Sequence, residues 1–258
     1  MSVSVIIPVS ALVMKAVPKR LEALQLAIRD MYAGVEVIVV EQSLDGKFYF
    51  LPHLKGVRRI ELRHPVFNKG WCLNVGAKHA NFANDHLVFA DADMYAKASY
   101  LRQFKKWLSA RGCLWAFAWN RLIYTNDQQR YVAINNNGGL HGLPHETPRR
   151  GLSEGGLVGF YKPFFNAIGK YNECIKELGG PDSEIIIRAY NKTRTYNMFN
   201  QTVYHLWHPQ IPKRTRPTRA QNIKIIHKLK KNVLGGIQWL CEQKQGNESG
   251  PLGKEFLG

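Results

Sequence analysis

Two aspartates follow an apolar segment at positions where they could bind a metal ion. Residues 87–90 are apolar, and Asp91 and Asp93 come directly after them with one alanine in between. Two carboxylates at this spacing can hold a hard divalent cation, either directly or through water. A D-x-D tripeptide is also common in solvated turns. The pair therefore predicts either a cation site or a turn.

A second acidic pair, Asp182 and Glu184, lies in the segment PDSE after Gly179 and Gly180. The glycines and the proline predict a turn that opens a helix, and acidic residues stabilise a helix N-terminus by their charge alone. A carboxylate at such a turn can also act as a general base that takes a proton from a reacting group. The residues alone leave both interpretations open.

Two histidines and two glycines are further candidates for a binding site. His205 and His208 end the short segment TVYHLWHP, and either imidazole could supply a nitrogen ligand to the same cation. A histidine is more often a packed or surface residue than a ligand. Gly155 and Gly156 would let the backbone approach a ligand closely, or they form an ordinary turn.

Buried strands are predicted to carry these groups. Apolar, β-branched runs predict strands over residues 2–9, 35–43, 57–62 and 86–90. Helical spacing predicts a helix over 68–80 and an earlier one that contains Leu21, Leu24, Ile28 and Met31. This alternation predicts an α/β fold with a doubly wound sheet. Ligands bind beyond the carboxyl ends of strands in such sheets, which is where Asp91 and Asp93 are expected.

The second half of the chain has fewer regular patterns. It predicts one aromatic strand within residues 114–126, a long Gly/Asn/Pro loop over 135–156 and a short strand over 202–209. A loop of this length in a compact domain is usually functional or disordered. We expect it to become ordered over a bound ligand, as catalytic lids do.

The charge of the chain is strongly positive. It has 36 Lys and Arg against 19 Asp and Glu, which gives a formal net charge of +17. Such a field attracts polyanions, including nucleic acid, an anionic membrane surface and phosphorylated substrates. The alternative is a generally basic enzyme whose lysines serve solubility.

Part of this charge lies in a distinct C-terminal segment. We predict a domain over residues 1–208 and a basic C-terminal helical extension over 209–258, since no acidic residue occurs between Pro209 and Leu240. Helical spacing of Ile223, Ile226, Leu229 and Val233 predicts an amphipathic helix. It could dock on the domain, or bind nucleic acid or an anionic membrane surface.

Several other classes of protein are disfavoured. No apolar run approaches the ~20 residues that span a bilayer, and the first residues predict a strand rather than a secretion signal. The four cysteines are scattered without a C-x-x-C pair, which disfavours a disulfide framework or a zinc-cysteine site. We expect a cytoplasmic protein, either free or peripheral at the inner face of a membrane. The common nucleotide-binding and hydrolase signatures do not occur.

Taken in order, these segments resemble the inverting glycosyltransferases of the GT-A fold, particularly family 2 and the β-1,4-galactosyltransferase and chondroitin-polymerase-like group. SVIIPV and VIVVEQS resemble the opening strands of family 2 enzymes, and FNKGWCLNVGAKHA resembles the F-N-[RK]-x-x-x-L-N-x-G segment. FADADM resembles the metal-binding D-x-D, and GGLVGFYKPFFNAIGKYNE resembles the segment that lines the donor and acceptor pocket. GGPDSEIIIRAY resembles the G-G-E-D-x-[DE] segment that holds the catalytic base. The implied fold is α/β, with a mixed doubly wound sheet flanked by helices.

The resemblance implies roles for individual residues. Asp182 takes the position of the general base, and Glu184 that of a neighbour that binds the acceptor. The metal would be held by Asp93 and His208, with Asp91 beside it and His205 as the alternative histidine. The residues implied to bind the donor are Pro8, Arg20, Glu41, Gln42, Asn68, Lys69, Gly70, Asp91, Gly155 and Gly156.

The implied reaction transfers a sugar from a UDP-sugar to an acceptor hydroxyl, with inversion and with Mn²⁺ or Mg²⁺ as cofactor. Three acceptors remain open: a glycan or lipid-linked glycan, a hydroxylated base in DNA as in phage-type enzymes, and a soluble small molecule. A non-catalytic nucleic-acid-binding protein is the alternative from another class. Two departures concern the acceptor side: Pro181 replaces the expected acidic residue, and KELGG lacks the usual tryptophan.

Overall fold

The computed structural model describes residues 2–11, 17–135, 155–177, 179–209, 216–243 and 245–251. Its strands are β1 (Ser2–Ser10), β2 (Glu36–Ser43), β3 (Arg58–Arg63), β4 (Asn84–Ala90), β5 (Met94–Tyr95), β6 (Trp115–Phe117), β7 (Arg121–Tyr124), β8 (Leu157–Tyr161) and β9 (Thr202–His205). Its helices are α1 (Val17–Arg29), α2 (Lys69–His79), α3 (Tyr100–Arg111), α4 (Asp127–Asn135), α5 (Lys162–Ala167), α6 (Pro181–Thr193), α7 (Arg216–Lys231) and α8 (Val233–Glu242).

A six-stranded sheet forms the centre, in the order β3-β2-β1-β4-β8-β6. Strands β1 to β4 are parallel, whereas β8 runs antiparallel to both β4 and β6. Val5 and Ile7 of β1 pack in the cluster that contains α1 and α3, and Ile6 packs in the cluster with α2, α5 and α6. Helices therefore cover both faces, and the predicted α/β fold with a mixed, doubly wound sheet is confirmed.

Close packing of α2 on β1 fixes the helix that starts beside the D-x-D segment. A Cβ atom at Gly76 would lie 2.4 Å from Cγ2 of Ile6, so only glycine fits there without a shift. The Asn68 side chain caps the helix by accepting a hydrogen bond from the amide of Trp71 at 2.9 Å. Lys69, the first helical residue, is thereby held at the carboxyl edge of the sheet.

A second, three-stranded sheet lies in the order β5-β9-β7. It corrects the prediction of one strand within residues 114–126: β6 joins the central sheet and β7 joins the small one. The predicted strands at 2–9, 35–43 and 57–62 and the helix at 68–80 are confirmed with small shifts of their ends. Met31 is buried but lies beyond the end of α1. Residues 136–154 of the predicted long loop lie outside the described residues.

The described part of the basic C-terminal segment forms two helices, and both pack on the rest of the protein. Helix α7 contacts α6, and α8 contacts α5 and α6. The predicted apolar stripe is displaced: Ile223 is 44% exposed, whereas Ile225 and Leu229 are buried. Among the described residues, no helix combines the length and apolar character that crossing a bilayer requires.

Residues 245–247 continue this packing into the centre of the protein. The Trp71 indole donates a hydrogen bond to the carbonyl of Asn247 at 2.6 Å, and the amide of Gly246 donates to Oε1 of Glu173 at 2.6 Å. The same Glu173 oxygen accepts from Asn74 of α2 at 2.9 Å. The segment is thus bound to α2 and to the turn that follows α5.

Candidate active site

The D-x-D segment leaves the sheet at the carboxyl end of β4, between β1 and β8. The amide of Asp91 donates to the carbonyl of Gly156 at 2.8 Å. Gly156 has φ +89, and a Cβ atom there would lie 2.9 Å from the Met94 side chain. Glycine at this position therefore lets the backbone before β8 approach the D-x-D segment.

Asp93 and two histidines form a compact cluster next to this point. Pairing of β5 with β9 sets Met94 opposite His205, and the amide of Leu206 donates to the carbonyl of Asp93 at 2.8 Å. Nε2 of His208 lies 3.1 Å from one Asp93 carboxylate oxygen, and Nε2 of His205 lies 3.5 Å from the other. One ligand atom from each of the three residues falls within 4.8 Å of the others.

The donor set of this cluster fits a divalent cation. Asp93 is 6% exposed, and its Oδ1 has no hydrogen-bond partner among the described residues. Burial raises the pKa of Asp93, but His205, His208 and Arg20 outweigh that effect and hold the pKa well below its ordinary value. A carboxylate with two imidazoles suits Mn²⁺ or a similar transition-metal ion better than Mg²⁺, which prefers oxygen ligands.

Arg20 of α1 adds a permanent positive charge to the cluster. Its Nε lies 3.7 Å from Asp93, and its Nη2 lies 3.0 Å from Nε2 of His208. The Arg20 side chain is 21% exposed, so it borders the cluster and is only partly buried. The predicted donor-binding residue Arg20 therefore lies beside the predicted metal ligands.

Lys69 joins the D-x-D segment to the predicted base. Its Nζ lies 2.7 Å from Oδ1 of Asp91 and 2.7 Å from Oδ2 of Asp182. Burial lowers the pKa of Lys69, but the two carboxylates outweigh that effect and hold its pKa above the ordinary value. Asp91 is thus oriented toward Lys69, and the compact cluster of metal-ligating atoms contains Asp93 without Asp91.

Asp182 lies in the first turn of α6, as the sequence predicts. Pro181 begins the helix, and Gly179 and Gly180 before it have φ +91 and +115. A Cβ atom at Gly155 would lie 2.7 Å from Oδ2 of Asp182. Gly155 therefore leaves room for the carboxylate, which is 23% exposed at the site.

Some of these groups line one open cavity of about 220 Å³. Among the predicted residues, those that line it are Asp91, Gly155, Gly156, Asp182 and His205. The sequence interpretation missed the other lining residues, which are Met94, Leu122, Tyr124, Gly180 and Ser183. The Tyr124 ring packs on His205 with centroids 4.9 Å apart, because β7 runs parallel beside β9. The aromatic residue at the end of β7 was the one feature of the sequence that could have indicated these lining residues.

Comparisons with known proteins agree with this architecture. No protein-family model and no curated protein matches the sequence. Residues 1–349 of S. aureus TarS in complex with UDP-GlcNAc superpose with a TM-score of 0.61 at 14% identity, covering 90% of this chain and 67% of that one. GalNAc-T7 with UDP, GalNAc and Mn²⁺ gives a TM-score of 0.56 at 13% identity, covering 88% and 48%. Both are GT-A-type glycosyltransferases.

The protein has a GT-A fold. The resemblance seen in the sequence is thereby confirmed at the level of the fold. The chain spans about two thirds of the TarS 1–349 structure and about half of the GalNAc-T7 structure.

Within this GT-A fold, two predicted donor-binding residues are buried and do not line the cavity. Glu41 is fully buried, and its carboxylate accepts hydrogen bonds from the amides of residues 49–51. Gln42 is also buried; it donates to the carbonyls of His64 and Val66 and accepts from the amide of Asn68. These two side chains hold the loops at the ends of β2 and β3, and donor contact by them stays a prediction.

Three more predicted residues have structural contacts in the GT-A domain. Asn68 caps α2 and donates to the carbonyl of Glu173 at 2.6 Å. Pro8 is buried in β1 opposite Val40. A Cβ atom at Gly70 would lie 3.2 Å from the carbonyl oxygen of Asn172, so glycine lets α2 approach that segment. Donor contact by these three residues likewise stays a prediction.

Glu184 is the predicted residue whose position departs most from its implied role. It is 0% exposed and forms an ion pair with Arg188, one helical turn later, at 2.6 Å. Arg188 also donates to the carbonyls of Ile168 and Lys170. Glu184 does not line the cavity, and its ion pair with Arg188 anchors α6 to the turn after α5. Acceptor contact by Glu184 stays a prediction.

Proposed function

We propose that the protein is a metal-dependent, inverting glycosyltransferase that moves a sugar from a UDP-sugar to an acceptor hydroxyl group. One observation carries the proposal: His205 of the Asp93–His205–His208 cluster and Asp182 of the Lys69–Asp182 ion pair line the same cavity at the carboxyl edge of the sheet. This arrangement provides positive charge for a diphosphate and a carboxylate for a hydroxyl proton at neighbouring positions. The GT-A fold, shared with structures that contain UDP-GlcNAc and UDP, supports the same donor.

The side chains near the cluster would hold the diphosphate of the donor. Asp93, His205 and His208 would bind a divalent cation, which supplies charge neutralisation for the leaving diphosphate. Arg20 and Lys69 add two cationic groups at this edge, and cations placed where negative charge develops stabilise a transition state. The positive φ of Gly156 lets the backbone before β8 approach the donor sugar.

Asp182 would act as the general base. Its carboxylate takes the proton of the acceptor hydroxyl while that oxygen forms a bond to the anomeric carbon. The bond between the anomeric carbon and the diphosphate oxygen breaks, and UDP leaves with the bonding electron pair. A single displacement inverts the anomeric centre, so an α-linked donor gives a β-linked product.

The acceptor is proposed to be a glycan or a lipid-linked glycan. The cavity combines an aromatic and an aliphatic wall, from Tyr124, Leu122 and Met94, with a few polar groups. Sites for small organic groups are commonly built this way, with apolar walls and few convergent polar atoms. The acceptor sugar would lie between this wall and Asp182.

The charge of the chain favours a second acceptor, a hydroxylated base in DNA. Helix α7 exposes Arg219, Lys224 and Lys230, and the chain carries a formal charge of +17. Cationic surfaces bind the phosphates of DNA with an affinity that falls steeply with salt. A base in a duplex would have to flip out of the stack to reach Asp182.

Measurement of UDP release tests both versions. The protein is incubated with a panel of nucleotide-sugars and Mn²⁺, with an oligosaccharide acceptor mixture or hydroxymethylated DNA in parallel wells. Release stimulated by one acceptor class, and abolished by EDTA, is the expected result. If no donor releases UDP with any acceptor, the proposed function is wrong; stimulation by DNA alone would replace the glycan acceptor.

A further inference from the structure

A buried asparagine lies on the otherwise basic helix α7. Asn222 is 2% exposed, although its helical neighbours Ile223 and Lys224 are exposed. With Ile225 and Leu229 it forms the stripe of α7 that faces the domain, at spacings of three and seven residues. A polar side chain buried in such a stripe needs hydrogen-bond partners to offset the loss of water.

Those partners lie in one short segment before α6. Nδ2 of Asn222 donates to the carbonyls of Lys176 and Gly179 at 2.8 and 3.0 Å. Its Oδ1 accepts from the amide of Lys176 at 3.3 Å. A single side chain thus bonds both Lys176 and Gly179, the residue directly before Gly180.

This turn determines where Asp182 lies. Gly179 and Gly180 both have positive φ, a region that glycine enters and leaves at little cost. Gly180 is the N-cap of α6, and it has no side chain to bond the first turn of the helix. A Cβ atom at Gly180 would lie 3.0 Å from Cδ1 of Ile226, so α7 also packs directly on this residue. The turn is therefore fixed from outside, by α7.

We infer that Asn222 is a positioning residue: by fixing the Gly179–Gly180 turn, it sets the distance between the Asp182 carboxylate and the acceptor hydroxyl. The inference rests on the proposed function of Asp182 as a base. Proton transfer and attack need near-contact geometry, and a displacement of about 1 Å can cost about 10²-fold in rate. Asn222 thereby contributes to catalysis without itself touching the substrate.

Two variants and a matched control test the inference. Asn222→Ala removes all three hydrogen bonds, and Asn222→Asp keeps the shape but removes both donors. Asn232→Ala is the control in the same segment, because Asn232 caps α8 through the amide of Gly235 at 3.0 Å and is exposed. Each protein is assayed for kcat, for UDP affinity by calorimetry, and for amide hydrogen exchange in residues 179–188.

The expected result is a fall in kcat of about tenfold or more for both Asn222 variants, with UDP affinity unchanged. Their amides in residues 179–188 exchange faster than in the wild type, and Asn232→Ala matches the wild type in all three measurements. If Asn222→Ala does not fold, the same three measurements on Asn222→Asp test the inference. A kcat equal to that of Asn232→Ala, or unchanged exchange, overturns the inference. If the wild type transfers no sugar, the proposed function fails, and the exchange measurement still decides whether Asn222 fixes the turn.

Discussion

Lys69 and Asp182 lie 113 positions apart in the sequence, yet Nζ of the lysine is 2.7 Å from Oδ2 of the aspartate. The same ammonium lies 2.7 Å from Asp91 of the D-x-D segment. One partly buried cation therefore links the residue proposed as base to the strand end proposed to hold the donor. Two carboxylates that share one cation are both destabilised when it is removed.

Replacement of Lys69 by methionine is expected to lower turnover by about 10- to 100-fold, because each lost charged hydrogen bond contributes about 1.5–3 kcal/mol. UDP affinity is expected to fall as well, since a cation near the diphosphate is lost. Lys69→Arg is the matched control, because it keeps the charge. It should lose less turnover and less UDP affinity than Lys69→Met does. Steady-state kinetics and calorimetry check this, and equal losses in the two variants would contradict a role for the charge.

Asp182→Asn is expected to lower turnover by about 10²–10⁴-fold, the usual contribution of a general base, while UDP still binds. Asp127→Asn is a suitable control, because Asp127 also pairs with a lysine but lies on α4 at the surface. Single-turnover sugar transfer is the direct measurement. Near-normal transfer by Asp182→Asn shows that another group takes the proton.

Asp93→Ala is expected to abolish the part of UDP binding that depends on Mn²⁺. Calorimetric titrations of UDP with Mn²⁺ and with EDTA should differ for the wild type and coincide for the variant. His208→Ala should lose more affinity than His205→Ala, since its nitrogen lies closer to the carboxylate, 3.1 against 3.5 Å. His53→Ala is the control, because His53 is exposed, and it should bind UDP as the wild type does. UDP affinity that is indifferent to Mn²⁺ in the wild type would falsify the metal site.

The buried pair of Glu184 and Arg188 predicts a loss of stability rather than of acceptor affinity. Removing one partner of a buried pair usually costs about 3–5 kcal/mol, because the other charge is left unpaired. Glu184→Gln should therefore unfold at lower urea, and the double variant Glu184→Gln/Arg188→Met should recover part of the loss. If Glu184→Gln raises the acceptor KM at unchanged stability, Glu184 contacts the acceptor after all.

His86 predicts a pH dependence of folding. Burial lowers the pKa of His86, against a smaller opposing effect of Asp85, so the unfolded chain binds a proton at higher pH than the folded protein does. The contribution of neutral His86 to stability is therefore fully present above the unfolded pKa of about 6.5, and it is lost as the pH falls below that value. Urea unfolding at pH 7.5 and 5.5 should show a smaller difference for His86→Gln than for the wild type, whereas the control His53→Gln should match the wild type.

Local patterns in the sequence were sufficient to predict the strands and the helix that carry the D-x-D segment and Asp182. The β-branched run of β1 and the apolar residues before Asp91 need no distant partner to be recognised as buried strands. Pro181 after two glycines similarly marks the start of α6. The carboxyl ends of parallel strands in such a sheet meet at one edge. The order of the strands and motifs along the chain was therefore enough to predict a common site near Asp91.

Burial of charge could not be inferred in the same way. Glu41 is buried because the amides of Tyr49, Phe50 and Leu51 fold back onto its carboxylate, and no local pattern specifies that loop. Glu184 did carry a signal, since Arg188 follows four residues later on the same helix. The family resemblance implies acceptor contact for Glu184, and that role stays a prediction.

The division of residues 114–126 into two strands depends on partners that come much later in the chain. Strand β6 pairs with β8, and β7 pairs with β9, which begins at Thr202. Asn120 is the only conventional turn residue between the two strands. Without knowledge of these pairings, Tyr124 and Leu122 could not be placed at the cavity.

The hydrogen bond between Trp71 and Asn247 sets a delay on folding during synthesis. The two residues are 176 positions apart. At about 5–20 residues per second, a ribosome makes Asn247 roughly 10–35 s after Trp71. Throughout that interval the indole of Trp71 lacks the carbonyl of Asn247 that it bonds in the finished protein. The carboxylate of Glu173, which is made later, lacks the amide of Gly246 for about 4–15 s after its own synthesis. This side of α2 is therefore completed only when residues 245–247 emerge.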